Sequence, residues 1–413
     1  MAEDGRALQL AAVKGDVAAM HLLLDHPSAD AEAMMMHKDS DHGGETVLML
    51  AGYCDHVEAK RLLLNNPSAD AAAMMMLANI NGVTAFMFAA DRGHVDAVRV
   101  LLDHPSSDAA AMMMHKDSDH GGETVLMLAA MNGHADAMRL LLDHPSADAA
   151  AMMIQTNSEG STALMYATRN GHADAMCLLL DHPSADAAAM TMHSSSTGVT
   201  ALMAAADHGH MDAVRVLLDH PSVDAAAMMM LTESGWWTAL MFAACYGHTD
   251  AMRLLLDHPS VDTAAMMAVH SPGGVSVLTA AAQFAAGSSN INIYAPSHSG
   301  APLLLLLRRV AVESQPGDDA QHAHMSEVME ALCQGLQSNA MFDNDTPDDA
   351  RDECVRLLLA RGARMVPTWC NSPVLSRIIR DLAQLASVPQ LLNEAVVGVV
   401  FAQRQSKRPR DDA

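Results

Sequence analysis

The sequence predicts an all-α fold, a helical repeat solenoid with extended inter-repeat loops and a degenerate helical C-terminal cap. Three observations carry that expectation. The phrase "TALMxAAxxGHxDAMRLLLDHP" recurs with little change, its opening Thr at Thr46, Thr84, Thr124, Thr162, Thr200 and Thr238, with Ser276 in the same place once more. The steps are 38, 40, 38, 38, 38 and 38 residues, and self-similarity at such a period marks a repeat architecture. Each phrase also holds two short helix-forming runs, and one such pair cannot bury both its faces without neighbours. Finally, half of the 413 residues are apolar but only 3% are aromatic, so the core must be built from Ala, Leu, Val and Met. Length alone would suggest more than one domain, but a repeat array grows its core in one dimension.

The copy that opens at Thr162 justifies each element in order. Thr162 is an N-cap, its hydroxyl able to accept from free N–H groups of the first turn. Ala163, Leu164, Met165, Ala167 and Thr168 form a short helix whose small residues let neighbours approach. Gly171 stands where a left-handed C-terminal residue is wanted. A second helix starts near Ala173, with Asp174 at its positive end, and carries Met176, Leu178, Leu179 and Leu180. Pro183 is expected to end it. The next segment is written "DHPSADAAAMM" at Asp143, with variants at Asp25, Asn65, Asp103, Asp181, Asp219 and Asp257. There Pro145 breaks a helix, Ser146 is expected to cap a new one, and Ala149 to Met153 are strong helix formers. This predicts an extra helix of one or two turns before the next copy. Three adjacent Met, as in Met74 to Met76 and Met228 to Met230, cannot all face inwards, so some should be exposed. With an earlier copy at Arg6, seven full copies run to about residue 270 and a partial one follows.

Stretches such as "GSTALMYATRNGHADAMCLLL" and "GVTALMAAADHGHMDAVRVLL" resemble the ankyrin repeat, whose pattern is Gly-x-Thr-Pro-Leu-His-x-Ala-Ala, then Gly-His, an acidic residue and Leu-Leu-Leu. The resemblance covers roughly two-thirds of the chain. It implies an L-shaped unit of two antiparallel helices with a projecting loop or hairpin. It also implies a curved stack whose concave face is formed by the first helices and the loops. Three departures stand out. Thr-Pro is Thr-Ala here, the repeat is 38 or 40 residues against about 33, and Asp55 replaces Gly in the second copy.

The expected organisation is a repeat array over 1–298, degenerate repeats or a helical cap with acidic loop insertions over 299–402, and a disordered basic/acidic tail over 403–413. A separate helical module is the alternative for the middle segment. The formal charge of −25 repels phosphate backbones and anionic lipid heads. The expected partner is therefore another protein with a basic surface, not nucleic acid or membrane. The longest leucine run, Leu303 to Leu307, is far too short to span a bilayer. Six cysteines without a C-x-x-C fit reduced thiols better than disulfides or zinc. With no apolar leader after "MAEDGR", the chain reads as a cytoplasmic monomer. The cluster Arg404, Lys407, Arg408 and Arg410 offers nuclear import as a second reading.

Function is sought where copies differ. The variable pair before Gly-His comprises Tyr53 and Cys54, Asp91 and Arg92, Met131 and Asn132, Arg169 and Asn170, Asp207 and His208, and Cys245 and Tyr246; the resemblance places it near the concave face. The loop "ESGWW" adds Trp236 and Trp237, of a type favoured at binding hot spots. Trp236 is expected to be exposed, and Trp237 either to cover a gap between copies or to touch the partner. The Gly-His imidazoles (His94, His134, His172, His210 and His248) are expected to hydrogen-bond between copies. His104, His144 and His182 belong to separate copies, so neither metal nor cofactor is expected. No phosphate loop, metalloprotease motif, kinase signature or nucleophile elbow is present. The expectation is a non-catalytic protein-protein interaction scaffold. The alternatives are an adaptor whose C-terminal helices recruit a second factor such as a ubiquitin ligase component, and, third, an enzyme. "MMMHKDSDHGGETVLML" occurs at Met34 and again at Met112, which points to duplication of a two-copy block.

Overall fold

A computed structural model of the chain describes residues 2–26, 30–39, 43–118, 121–260, 262–271 and 275–285, together with Leu303, Leu305 and Leu306. The expected segments 299–402 and 403–413 lie outside the described residues, apart from those three leucines. Regular structure among the described residues is helical, and strand-like pairing is confined to isolated bridges such as Ala78 with Thr84 and Lys116 with Thr124.

Each of the seven full copies carries three helices, and the fourth shows why. Val125–Met131 begins at Thr124, whose hydroxyl accepts from the Met127 N–H. It stops because Gly133 takes φ 72°, a conformation that only glycine adopts freely. Ala135–Leu142 follows, then Ala149–Ile154. The extra helix is therefore present as expected, but its cap is not Ser146. Asp148 caps it, with Oδ1 accepting from the Ala151 N–H at 3.0 Å, and Asp30, Asp70, Asp108, Asp186 and Asp262 do the same in other copies. The second helix ends just ahead of the proline, as expected: His258, which precedes Pro259, is extended at φ −65° and ψ 133°. The last helical bond runs from the Asp143 N–H to the Arg139 carbonyl, and the chain then turns as Ser146 donates its N–H to His144 Nδ1 at 3.2 Å. The chain has left the helix before Pro145 is reached.

Two compact units are formed, residues 1–205 with 212–224, and residues 206–211 with 225 onward. In the first, the first helices Val47–Tyr53, Ala85–Asp91, Val125–Met131 and Ala163–Arg169 pack in succession. The second helices Val57–Leu64, Val95–Leu102, Ala135–Leu142 and Ala173–Leu180 pack likewise. Their contact is made by fully buried Leu126, Met127, Ala129, Ala130, Ala137, Met138 and Leu141 and their counterparts. The third helix buries two of its three terminal apolar residues and exposes the last. Met74 and Met75 are buried while Met76 is 38% exposed, and Met152 and Met153 are buried while Ile154 is 60% exposed. In the second unit, Ala239–Tyr246 packs on Val277–Ala285, the first helix of the partial copy, where Ser276 Oγ accepts from the Thr279 N–H.

Histidine joins the copies twice over. In the first ladder, the Gly-His imidazole donates from Nε2 to a carbonyl of the preceding copy. His94 reaches Tyr53 O at 3.1 Å, His134 reaches Asp91 O at 2.9 Å, His172 reaches Met131 O at 3.0 Å and His248 reaches Asp207 O at 2.9 Å. In the second, the imidazole of "DHPS" faces an aspartate of the preceding copy: His144 Nε2 stands 3.9 Å from Asp103, His182 Nε2 3.7 Å from Asp143 and His220 Nε2 3.3 Å from Asp181. Because Nδ1 accepts from a serine N–H, Nε2 carries the ring proton and points it at the carboxylate. The repeated acid-imidazole segment is a joint between copies.

Candidate functional site

The loops that precede each Thr are built by side-chain acceptors. Asn79 Oδ1 accepts from the Asn81 and Val83 N–H groups, and Asn157 Oδ1 accepts from Glu159 and Ser161. Successive loops of the first unit are stitched by backbone bonds, from Ile80 N to Gly43 O, Ser118 N to Asn81 O, Ser158 N to Gly121 O and Ser196 N to Glu159 O. Each of three such loops places glycine at a left-handed position, Gly82 at φ 77°, Gly160 at φ 77° and Gly198 at φ 86°.

The loop at 231–237 breaks that rule. Its glycine falls one place early, at Gly235, and Trp236 takes the left-handed position with φ 69°. A left-handed conformation costs a residue with a Cβ about 1–2 kcal/mol. The indole nevertheless stands 54% exposed. Trp237 is half-buried, its ring 5.5 Å from that of Phe242 in the same copy.

Within each unit the variable pairs bond largely to one another. The Arg92 guanidinium lies 4.2 Å from the centre of the Tyr53 ring and donates to the Tyr53 hydroxyl at 2.7 Å. Tyr53 also meets Phe88 edge to face. Asn132 Nδ2 donates to Asp91 Oδ1 at 2.9 Å. Cys54 and Met131 are half-buried, and Arg169 and Asn170 are exposed. In the second unit, His208 Nδ1 is 3.3 Å from Asp207. Tyr246 shares a side-chain hydrogen bond with Asp207, and burial first, then that carboxylate, pushes its phenol up to about 12. Cys245 must be removed from the candidate surface. It is 2% exposed, because a small side chain at the end of a first helix sinks between its neighbours, and burial pushes its thiol up to about 11.

One polar cluster escaped the sequence reading. Tyr166 donates its hydroxyl proton to Glu123 Oε1 at 2.6 Å, and Asn157 Nδ2 donates to the same oxygen at 3.1 Å. Asp117, beside them, accepts from the Gly122 and Glu123 N–H groups. Burial, above all, raises the Asp117 carboxyl, with the Glu123 carboxylate adding to it. A carboxyl raised in the fold contributes stability at low pH that is lost as pH rises through its folded value. Asp117→Asn keeps an acceptor for both N–H groups and has no charge to desolvate. It should melt a few degrees above the parent near neutrality, with the difference narrowing in the acid range. Thermal melts at both ends of that range check this, and a variant that melts lower throughout would contradict it.

Family comparison decides what this scaffold is. A model of three tandem ankyrin repeats matches residues 69–153, 106–191, 151–229 and 187–266. The chain is an ankyrin repeat protein. No curated protein matches it. Ankyrin repeats generally mediate protein–protein interaction, and in these the helix pair and hairpin follow the family form while the third helix accounts for the added length. No helix among the described residues is long and apolar enough to cross a membrane. Among those residues no three His, Cys, Asp or Glu side chains gather as metal ligands would.

Proposed function

We propose that the chain is a non-catalytic scaffold that holds another protein against the loops and the exposed sides of the first helices. Trp236 is the observation that carries this reading. A large aromatic is kept in the solvent at a backbone position where sister loops use glycine, and strain of that kind is found where a side chain must be presented. The second unit also exposes His208, and the first unit by itself exposes Tyr53, Arg92, Asn132, Arg169 and Asn170. The charge of −25 favours a partner with a basic face and speeds the encounter at low salt. Free thiols at Cys54, Cys177 and Cys245 fit a reducing compartment.

Trp236→Gly separates binding from folding. Glycine suits φ 69°, so the variant should keep the parent's stability or gain up to about 1 kcal/mol. The same change should weaken partner capture. Melting curves and parallel pull-downs with full-length protein read both quantities. Undiminished capture by the variant would defeat the reading, whatever its stability.

A further inference from the structure

A second surface lies along the second helices of the first unit. Between Ala135–Leu142 and Ala173–Leu180 runs an open groove of about 830 Å³, lined by Asp136, Arg139 and Asp143 from one copy and Asp174, Cys177 and Asp181 from the next. Comparison of copies shows what is missing there. Arg61 meets Glu58 at 3.3 Å, Arg139 meets Asp136 at 3.1 Å, Arg215 meets Asp212 at 3.3 Å and Arg253 meets Asp250 at 3.3 Å, each three residues apart on one helix. In the fifth copy the arginine is replaced by Cys177. Asp174 keeps its place and its exposure but has a thiol where its counterparts have a guanidinium. That thiol is half-buried. Burial first, then Asp181 and Asp174, raises it, so it lines the groove as a neutral group.

We propose that this groove is a second docking site, for an arginine-bearing segment of a basic partner protein, whose guanidinium takes at Asp174 the place that Arg139 takes at Asp136. The chain itself supplies the template, since the same carboxylate on the same helix position is met by arginine in four other copies. Charge complements charge, because Asp143 and Asp181, which His182 and His220 face from one side, flank the site and are exposed, and Arg139, the one arginine or lysine of the lining, is already engaged. The arginine stem has an apolar bed on Cys177 and Leu178, as such stems use elsewhere. The volume exceeds one side chain, so neighbouring residues of the partner segment enter too. This site is separate from the loop surface and does not depend on it.

The test uses the full chain and a short fluorescent peptide of alternating arginine and leucine, with binding followed by anisotropy. Protection of the Cys177 thiol from alkylation is read by mass spectrometry. Asp174→Asn should weaken binding about two- to fivefold, the worth of one exposed ion pair. Cys177→Arg should weaken it at least as much, by filling the site from within. It repeats a pair that four other copies already carry, so the fold is retained. Cys177→Ser should bind as the parent does, as should Asp250→Asn, whose carboxylate is already paired, and Trp236→Gly, which changes the second unit. Three results would each overturn the proposal: full binding by Cys177→Arg, equal losses for Asp174→Asn and Asp250→Asn, or an unprotected Cys177 thiol at saturation.

Discussion

Replacing Lys60 with methionine should raise the unfolding free energy near neutral pH by about 2–3 kcal/mol. Lys60 is fully buried, and its ammonium finds no hydrogen-bond partner inside the fold. The nearest carboxylate oxygen is Asp55 Oδ1 at 3.9 Å, on a side chain that is half exposed. Burial lowers the Lys60 amine from 10.5 to about 8, against the pull of Asp55 and Cys54. Equivalent positions in the other copies hold Met20, Val98, Met138, Met176, Val214 and Met252, all fully buried. Methionine therefore fits the site without new voids, and an exposed Asp55 loses little when its distant partner goes. The pH dependence follows in sign. Below about pH 8 both states carry the charge and the penalty is complete. Between about 8 and 10.5 the folded state gives up its proton first, so the unfolded state binds more protons and parental stability rises with pH. The advantage of Lys60→Met should thus be largest near pH 7 and shrink across that window. Urea unfolding at neutral and alkaline pH measures it. A variant no more stable than the parent at pH 7, or a gap that stays constant with pH, would refute the account.

Much of this was legible in the sequence because repetition supplies its own comparison. The Thr caps, the left-handed Gly171 and the helical nature of the extra segment all follow from local chemistry. The burial of two residues in each Met triplet follows from helix geometry. What was not legible depends on which of two similar groups wins, or on contacts between copies. Ser146 and Asp148 are both good caps, and only the closed turn around His144 shows that Asp148 is the one beside the free N–H groups. Variation puts Cys245 among the surface candidates, yet variation marks tolerance and a small buried residue can be as tolerant as an exposed one. The Glu123, Asn157 and Tyr166 cluster joins residues 34 and 43 positions apart. Its one local signal was Tyr166 standing where the duplicated block has Phe88. Lys60 could have been found, since setting "VEAKRLLL" over "ADAMRLLL" puts its ammonium on a core position. Trp236 could have been found as well, by setting "ESGWWT" over "NINGVT" and seeing the glycine displaced by one.

The Gly-His pair shows how a two-residue motif acts between copies, and Gly133→Ala should expose it with a loss of about 2–3 kcal/mol. Two independent terms add. The backbone at Gly133 has φ 72°, which alanine adopts only with strain. A Cβ there would also stand 2.6 Å from His172 Nδ1 and 2.7 Å from Cγ. That ring belongs to the next copy and is held by its bond to Met131 O at 3.0 Å, so relieving the overlap weakens the joint. Gly15 against His56, Gly93 against His134 and Gly209 against His248 show the same close fit. The second copy supplies the exception. Asp55 carries a Cβ at φ 57°, yet His94 still reaches Tyr53 O at 3.1 Å. Aspartate adopts the left-handed conformation more readily than alanine does. Gly133→Asp should therefore lose less than Gly133→Ala. A double-mutant cycle with His172→Ala divides the remaining loss. The overlap disappears in the His172→Ala background and the backbone strain persists, so the effect of Gly133→Ala should fall to about 1 kcal/mol. Additive losses would mean that the two residues do not act together. Hydrogen exchange along Ala135–Leu142 should then report a backbone effect alone.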